Sequence, residues 1–235
     1  MDVKYSIVVP CYNEEDNIPL LLERFREVLR GSKVEVLLVN NGSTDGTEAL
    51  LSRLLPQYPF VNVVRVDVNQ GYGYGILQGL KAAKGDYIGW MHADMQTDPI
   101  DAIKAFRLAD KYRGKKLYIK GNRVGRPLFD IVFTNGMSLF ESLYFRTRMI
   151  DINAQPNVFP KSFFESWIDP PWDFSLDLYA YYMAQKTGLE IVRFPVRFPE
   201  RVYGTSKWNT DGFKSKWKFI KRTIKFSIQL KRNYG

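Results

Sequence analysis

The chain has 235 residues, 45% of them hydrophobic, enough for one large α/β domain with an appendage or for two small domains. No apolar run of about 18 residues occurs, which argues against a spanning helix, and the lone Cys11 excludes an internal disulfide and fits a reducing cytoplasm. The net charge of +9 is uneven: nine Lys or Arg and one acid lie between Lys207 and Gly235, giving that segment +8 and residues 1–206 only +1, which speaks against a nucleic-acid-binding surface spread over the whole molecule.

The first residues, MDVKYSIVVP, enter a strand pattern directly and leave no room for a secretory leader. Tyr5 to Pro10 reads as a buried strand, and Ile18, Leu21, Leu22, Phe25, Val28 and Leu29 follow helical spacing. Val34 to Val39 is a second strand, followed by a helix with Ser43 or Thr44 as N-cap. Val61 to Val66 is a third strand, Gly71 to Lys84 a glycine-bearing helix and Asp86 to Met91 a fourth strand. Strands alternating with helices imply a mainly parallel sheet, with ligands beyond the carboxyl ends of its strands. Further on, the pattern predicts a strand over Lys116 to Lys120, a helix over Leu128 to Phe145, a structured loop over 151–174, a helix over Phe174 to Lys186, a strand over Glu190 to Val196 and a basic helix over 210–230. The expected division is a catalytic domain over 1–206 and a basic tail over 207–235.

Four polar motifs follow the four early strands in order. Pro10-Cys-Tyr-Asn-Glu14 offers the Tyr12 ring for stacking a base, and Asn13 and Glu14 for its edge or a ribose. Asn40-Asn41-Gly-Ser-Thr-Asp-Gly-Thr47 is a small polar turn whose amides suit an anion or ribose. Asn69-Gln-Gly71-Tyr-Gly-Tyr-Gly75 has glycines that permit close packing beneath a nucleotide. His92-Ala-Asp94-Met-Gln96 puts an acid where a divalent cation could bridge a diphosphate, with Gln96 as a weaker oxygen ligand and His92, the only histidine, as ligand, phosphate donor or structural residue. Alone, each also reads as an ordinary strand-to-helix turn.

Together, PCYNE, VNNGSTDGT, NQGYGYG and HADMQ resemble the family 2 inverting glycosyltransferases of the GT-A fold, and Arg201-Val-Tyr-Gly-Thr-Ser-Lys207 resembles the R-x-x-G-x-S-K signature of the dolichyl-phosphate mannose synthase branch. The resemblance implies an α/β GT-A fold with a mainly parallel sheet, and a donor site with Pro10, Tyr12, Glu14, Asn41, Gly71 and Asp94. It implies a metal held by Asp94 and Gln96 with His92 nearby, Mg²⁺ or Mn²⁺, and imidazole in place of the family's first acid favours Mn²⁺. It implies acceptor contacts from Arg123, Asp151 and Ser206, and phosphate-facing Arg201 and Lys207. The family usually carries aspartates where this chain has Asn40 and Asn41.

The implied reaction is a single displacement that inverts the anomeric carbon, moving a hexose from UDP or GDP to a polyprenyl phosphate or a lipid-linked glycan. Asp173 and Asp177, one helical turn apart, are the base candidates for a sugar-hydroxyl acceptor, and Asp173 reads equally as a helix cap. A phosphate acceptor, with its second pKa near ~6, is already an anion and needs only cations. Transfer to a sugar hydroxyl in polysaccharide synthesis, or non-catalytic sugar-nucleotide binding, are the alternatives; nucleic acid is not an expected partner. In the tail, Phe213, Trp217, Ile220, Ile224 and Ile228 form one stripe and Phe219, Phe226 and Leu230 a second, opposite Lys214, Lys218, Lys221, Arg222 and Lys225. This suits either a helix docked on the body or a peripheral helix on the cytoplasmic face of a membrane.

Overall fold

The computed structural model describes residues 3–199, 201, 203 and 212–235. Among these, seven strands form one sheet: β1 (Tyr5–Cys11), β2 (Val34–Asn41), β3 (Val61–Val66), β4 (Tyr87–Trp90), β5 (Leu117–Val124), β6 (Asn157–Pro160) and β7 (Glu190–Arg197), in the order β3-β2-β1-β4-β6-β5-β7. The pairs β1–β2, β2–β3, β1–β4 and β5–β7 are parallel, whereas β6 runs antiparallel between β4 and β5. The helices are α1 (Asn17–Val28), α2 (Thr47–Leu54), α3 (Tyr72–Ala82), α4 (Pro99–Lys111), α5 (Leu128–Phe145), α6 (Lys161–Glu165), α7 (Leu176–Lys186) and α8 (Gly212–Tyr234).

Strand alternation sorts the core onto two faces. Ile7 and Val9 of β1 with Val36 and Leu38 of β2 pack under α1, α2 and α4, through Leu21, Phe25, Leu51 and Phe106. Val8, Leu37 and Val39 turn the other way, onto Ile76, Leu77 and Leu80 of α3, and the same cluster takes in Tyr179 and Tyr181 of α7 and Leu230 of α8. Gly79 permits the close α3 contact, since a Cβ there would stand 2.3 Å from Val8 Cγ1.

The sequence reading leaves out α4, ends β5 at Lys120 although it runs to Val124, and misplaces elements further on. Helix α4 has clear start signals, Asp98 as N-cap accepting from the Ile100 amide at 2.9 Å and Pro99 in the first turn. Residues 151–174 are not loop throughout, because β6 and α6 lie within them. Helix α7 begins at Leu176 rather than Phe174, which leaves Asp173 in the preceding turn and Asp177 in the first helical turn.

Candidate donor and acceptor site

The chain reverses its direction of travel across the sheet between β1 and β4, so the segments after β1, β2 and β4 meet at one crevice. Asn13 takes a left-handed conformation (φ 57°) and ties two of these segments: its amide donates to Ser43 Oγ at 3.1 Å and its Oδ1 accepts from the Thr44 amide at 2.8 Å. Glu14 donates its backbone N–H to Thr47 Oγ1 at 3.2 Å, and Glu15 Oε2 accepts from the Gly46 amide at 2.7 Å. The Glu14 carboxyl accepts from Asn17 Nδ2 at 2.7 Å, and its burial, aided by the nearby Asp94, raises its pKa above the usual range. Pro10 and Tyr12 are partly buried alongside. Asn40 and Asn41 are both buried: Asn40 donates to Glu48 Oε2 at 2.7 Å and accepts from the Ser43 amide, and Asn41 donates to the Gly71 carbonyl at 3.0 Å.

The alternating glycines have a local explanation. Gly71, at φ 122°, precedes α3, and a Cβ on it would stand 2.5 Å from the Trp172 carbonyl oxygen. A Cβ on Gly73 would meet the Pro171 and Asp173 oxygens at 2.6 and 2.7 Å. The 171–174 segment therefore lies directly against the start of α3, and Tyr74 donates its amide to Trp172 O at 2.9 Å. Tyr72 stacks on Phe174 at 4.5 Å and sits 6.0 Å from the His92 ring.

After β4, Asp94 is buried at 4% exposure. Its Oδ1 accepts from the Gln96 amide at 3.1 Å, and its Oδ2 is paired with Arg201 at 3.0 Å. Arg201 also donates to Gln96 Oε1 at 3.2 Å. The Arg201 guanidinium thus joins the Asp94 carboxylate and the Gln96 amide oxygen through two different nitrogens, which sets both side chains on one side of the crevice. Among the described residues no cluster of three His, Cys, Asp or Glu side chains exists, so further ligands would have to come from the diphosphate or from water. Burial lowers the His92 pKa, against the attraction of Asp94 and Asp177.

On the acceptor side, Asp151 (φ 42°, 4% exposed) receives both the backbone amide of Arg123 at 2.9 Å and its guanidinium Nε at 3.0 Å. Burial opposes this charge, but Arg123 wins and the Asp151 pKa falls below the ordinary range. Arg126, which the sequence pattern passes over because it sits in a Gly-Arg-Pro turn, approaches the same carboxylate at 3.7 Å. Arg123, Arg201, Asp94 and Asp177 all lie close enough to His92 to act on its charge. Asp173 is elsewhere: its Oδ1 accepts from the Ser175 amide at 2.8 Å and its Oδ2 faces Arg222 of α8 at 3.6 Å. Asp177 is 2% exposed and accepts from Asn157 Nδ2 at 3.1 Å. Asp173 and Asp177 therefore do not share one surface. Ser206 and Lys207 lie outside the described residues, as do the side chains of Phe213, Lys214, Lys218 and Phe219.

The crevice at the reversal of a mainly parallel sheet, rimmed by polar loops, defines an α/β fold of the GT-A type. The glycosyl transferase family 2 sequence pattern matches residues 6–150, more than half of the chain, and the chain belongs to that family. It is 34% identical over 128 residues to a dolichol-phosphate mannosyltransferase of Pyrococcus furiosus, covering 52% of this chain and 35% of that protein. It is 37% identical over 103 residues to a prophage bactoprenol glucosyl transferase homolog of Escherichia coli K12, covering 43% of this chain and 33% of that one. The match thus spans only about a third of these relatives. In fold it is similar to glucosyl-3-phosphoglycerate synthase from Mycobacterium tuberculosis in complex with Mn²⁺, UDP-glucose and phosphoglyceric acid, with a TM-score of 0.74, 17% identity and coverage of 97% of this chain and 79% of that one.

Proposed function

We propose that this chain transfers a hexose from a UDP- or GDP-linked donor to a polyprenyl phosphate, with inversion and with a divalent metal. The observation that carries the reading is the placement of buried Asp94 and of Gln96 after β4, both held by one guanidinium, that of Arg201. Asp94 and Gln96 would hold Mn²⁺ or Mg²⁺, with His92 beside them, and the ion would neutralise charge on the departing diphosphate. Tyr12, Glu14 and Asn41 would border the nucleoside, with Gly71, whose carbonyl accepts from Asn41, packed beneath it. Arg201, released from Asp94 as the ion enters, and Lys207 would face phosphate.

The relatives named for dolichol phosphate and bactoprenol support a lipid-phosphate acceptor. So does the state of the two base candidates. A sugar hydroxyl needs a base within hydrogen-bond reach of it, yet Asp177 is sealed beneath the site, and Asp173, 44% exposed, faces Arg222 of α8. A phosphate monoester needs only positive charge, and Arg123 and Arg126, which share the single carboxylate of Asp151, would supply it. Such an acceptor also calls for contact with a bilayer surface. Among the described residues no helix is long and apolar enough to cross a membrane. Helix α5, however, exposes Leu128, Val132, Leu139 and Leu143, and α8 exposes Trp217 and Ile228, which supports a peripheral attachment.

The test is a screen of UDP- and GDP-hexoses with Mn²⁺ and Mg²⁺, reading released nucleoside diphosphate with and without polyprenyl phosphate. Metal-dependent release stimulated by the lipid phosphate is expected. Stimulation by soluble glycans alone would move the acceptor to a sugar hydroxyl.

A further inference from the structure

The alternation of β5 puts one residue where its chemistry does not belong. Leu117 and Ile119 face one side of the sheet, and Tyr118 and Lys120 face the other, toward α7. Lys120 has no exposed surface at all. A buried ammonium persists only when it is paired and hydrogen-bonded. Its Nζ donates to the Ala154 carbonyl at 2.5 Å and to Asn157 Oδ1 at 2.7 Å, and lies 5.7 Å from the centre of the Tyr181 ring. Tyr118 also donates its hydroxyl to Asn157 Oδ1, at 3.1 Å. The other end of the same amide donates to Asp177. Asn157 therefore accepts from the cation and donates to the anion, and joins β5, β6 and α7 in one line.

After burial, the partner's charge is the strongest influence on each. Burial drives the Lys120 pKa down to about 7, with Asp177 the first attraction opposing the shift, and burial drives Asp177 up, with Lys120 and then His92 the first attractions opposing that. The Tyr72 hydroxyl is near enough to Asp177 to act on its charge. The Tyr72 hydroxyl also accepts from Gln155 Nε2, and its ring lies between Phe174 and His92. The line of contacts thus runs from the middle of β5 to the floor of the metal and diphosphate region.

We propose that Lys120 and Asp177 form a buried counter-charge pair bridged by Asn157, and that the pair acts as a positioning device for Tyr72 and His92, with Asp177 not serving as the base. The role rests on the glycosyltransferase reading above. It requires neither residue to touch donor or acceptor. Removing one charge leaves the other buried and unmatched, whereas removing both restores neutrality.

The test compares wild type, Lys120→Met, Asp177→Asn and the double variant for metal-dependent donor turnover and for urea midpoint. Each single change is expected to lower kcat by about tenfold or more with KM for the donor within about threefold, in line with residues that act through the groups they orient. The double variant is expected to recover most of the lost kcat, and the stability losses of the two singles are expected to be strongly non-additive. A folded double variant as inactive as Asp177→Asn alone would overturn the proposal and return Asp177 to the role of a base. Four proteins with equal kcat would overturn it too, leaving a pair that serves stability only. A wild type that turns over no UDP- or GDP-hexose, with the stability coupling intact, would identify the glycosyltransferase reading as the part that failed and would remove the positioning role with it.

Discussion

At position 40 the side-chain amide points at Glu48, and at position 41 it points at the Gly71 carbonyl. Both sites need a donor, and a carboxylate in either would face an acceptor. Asparagine meets this requirement at both positions, where the family usually carries aspartates. Asn40→Asp is expected to cost about 1–3 kcal/mol of stability, measured by urea unfolding, because it sets two carboxylates against each other where Glu48 already serves Arg65. A second expectation belongs to Asp94: Asp94→Ala, like chelation, is expected to reduce donor turnover by about 100-fold or more while the variant still unfolds in one cooperative transition. Full activity in that variant would remove the metal assignment. The sequence motifs gave access to these positions because each follows a strand end in order. They did not give access to Lys120, since a lysine after an apolar run reads as a strand ending, and only the pairing of β5 with β6 brings it beside Asn157. Arg126 was hidden for a related reason, as its nearness to Asp151 depends on a contact 25 residues away in sequence.

At the scale of elements, the regular βα units of the first half were legible because hydrophobic period and turn chemistry agree there. Strand β6 has four residues and pairs only with distant partners, so no local pattern announces it. In α8, Phe226 and Leu230 pack inward and Trp217 and Ile228 are exposed, while Ile220 and Ile224 between the latter two are half-buried. What the pattern does not disclose is the anchor between α8 and α5, where Ser227 donates to Glu141 Oε1 at 2.7 Å in a fully buried setting. Burial raises the Glu141 pKa from 4.5 to about 7, against the opposing pull of Ser227. Between those two values the folded protein binds more protons than the unfolded chain, so this group's contribution to stability falls as pH rises through that window. Glu141→Gln is therefore expected to remove that part of the pH dependence, with the variant gaining on wild type between pH 5 and pH 8 in urea midpoints. A difference that does not change with pH would show that Glu141 does not titrate there.

For the whole molecule, the charge carried by residues 207–235 and the apolar side chains left outward on α5 and α8 favour attachment to an anionic bilayer. Each basic residue at such a surface contributes about 1 kcal/mol and is screened by salt, whereas inserted apolar groups are not. Flotation with vesicles containing anionic lipid is expected at low salt and is expected to be only partly reversed at high salt. Protein that stays at the bottom of the gradient at low salt would end the membrane reading and favour a soluble glycan acceptor. The sheet topology also bears on how the chain is made. Strand β4 pairs with β1 on one side, but its other side waits for β6, which lies 67 residues further along from Trp90 at Asn157. During synthesis the amino-terminal half can assemble on a ribosome while β4 still presents a bare edge, the kind of template on which nascent chains join one another. A fragment ending at residue 150 is expected to be soluble only at low concentration and to form sheet-rich aggregates, and the same fragment supplied with the 151–199 segment in trans is expected to be protected. A monodisperse fragment with no affinity for that segment would show that the edge is closed in some other way.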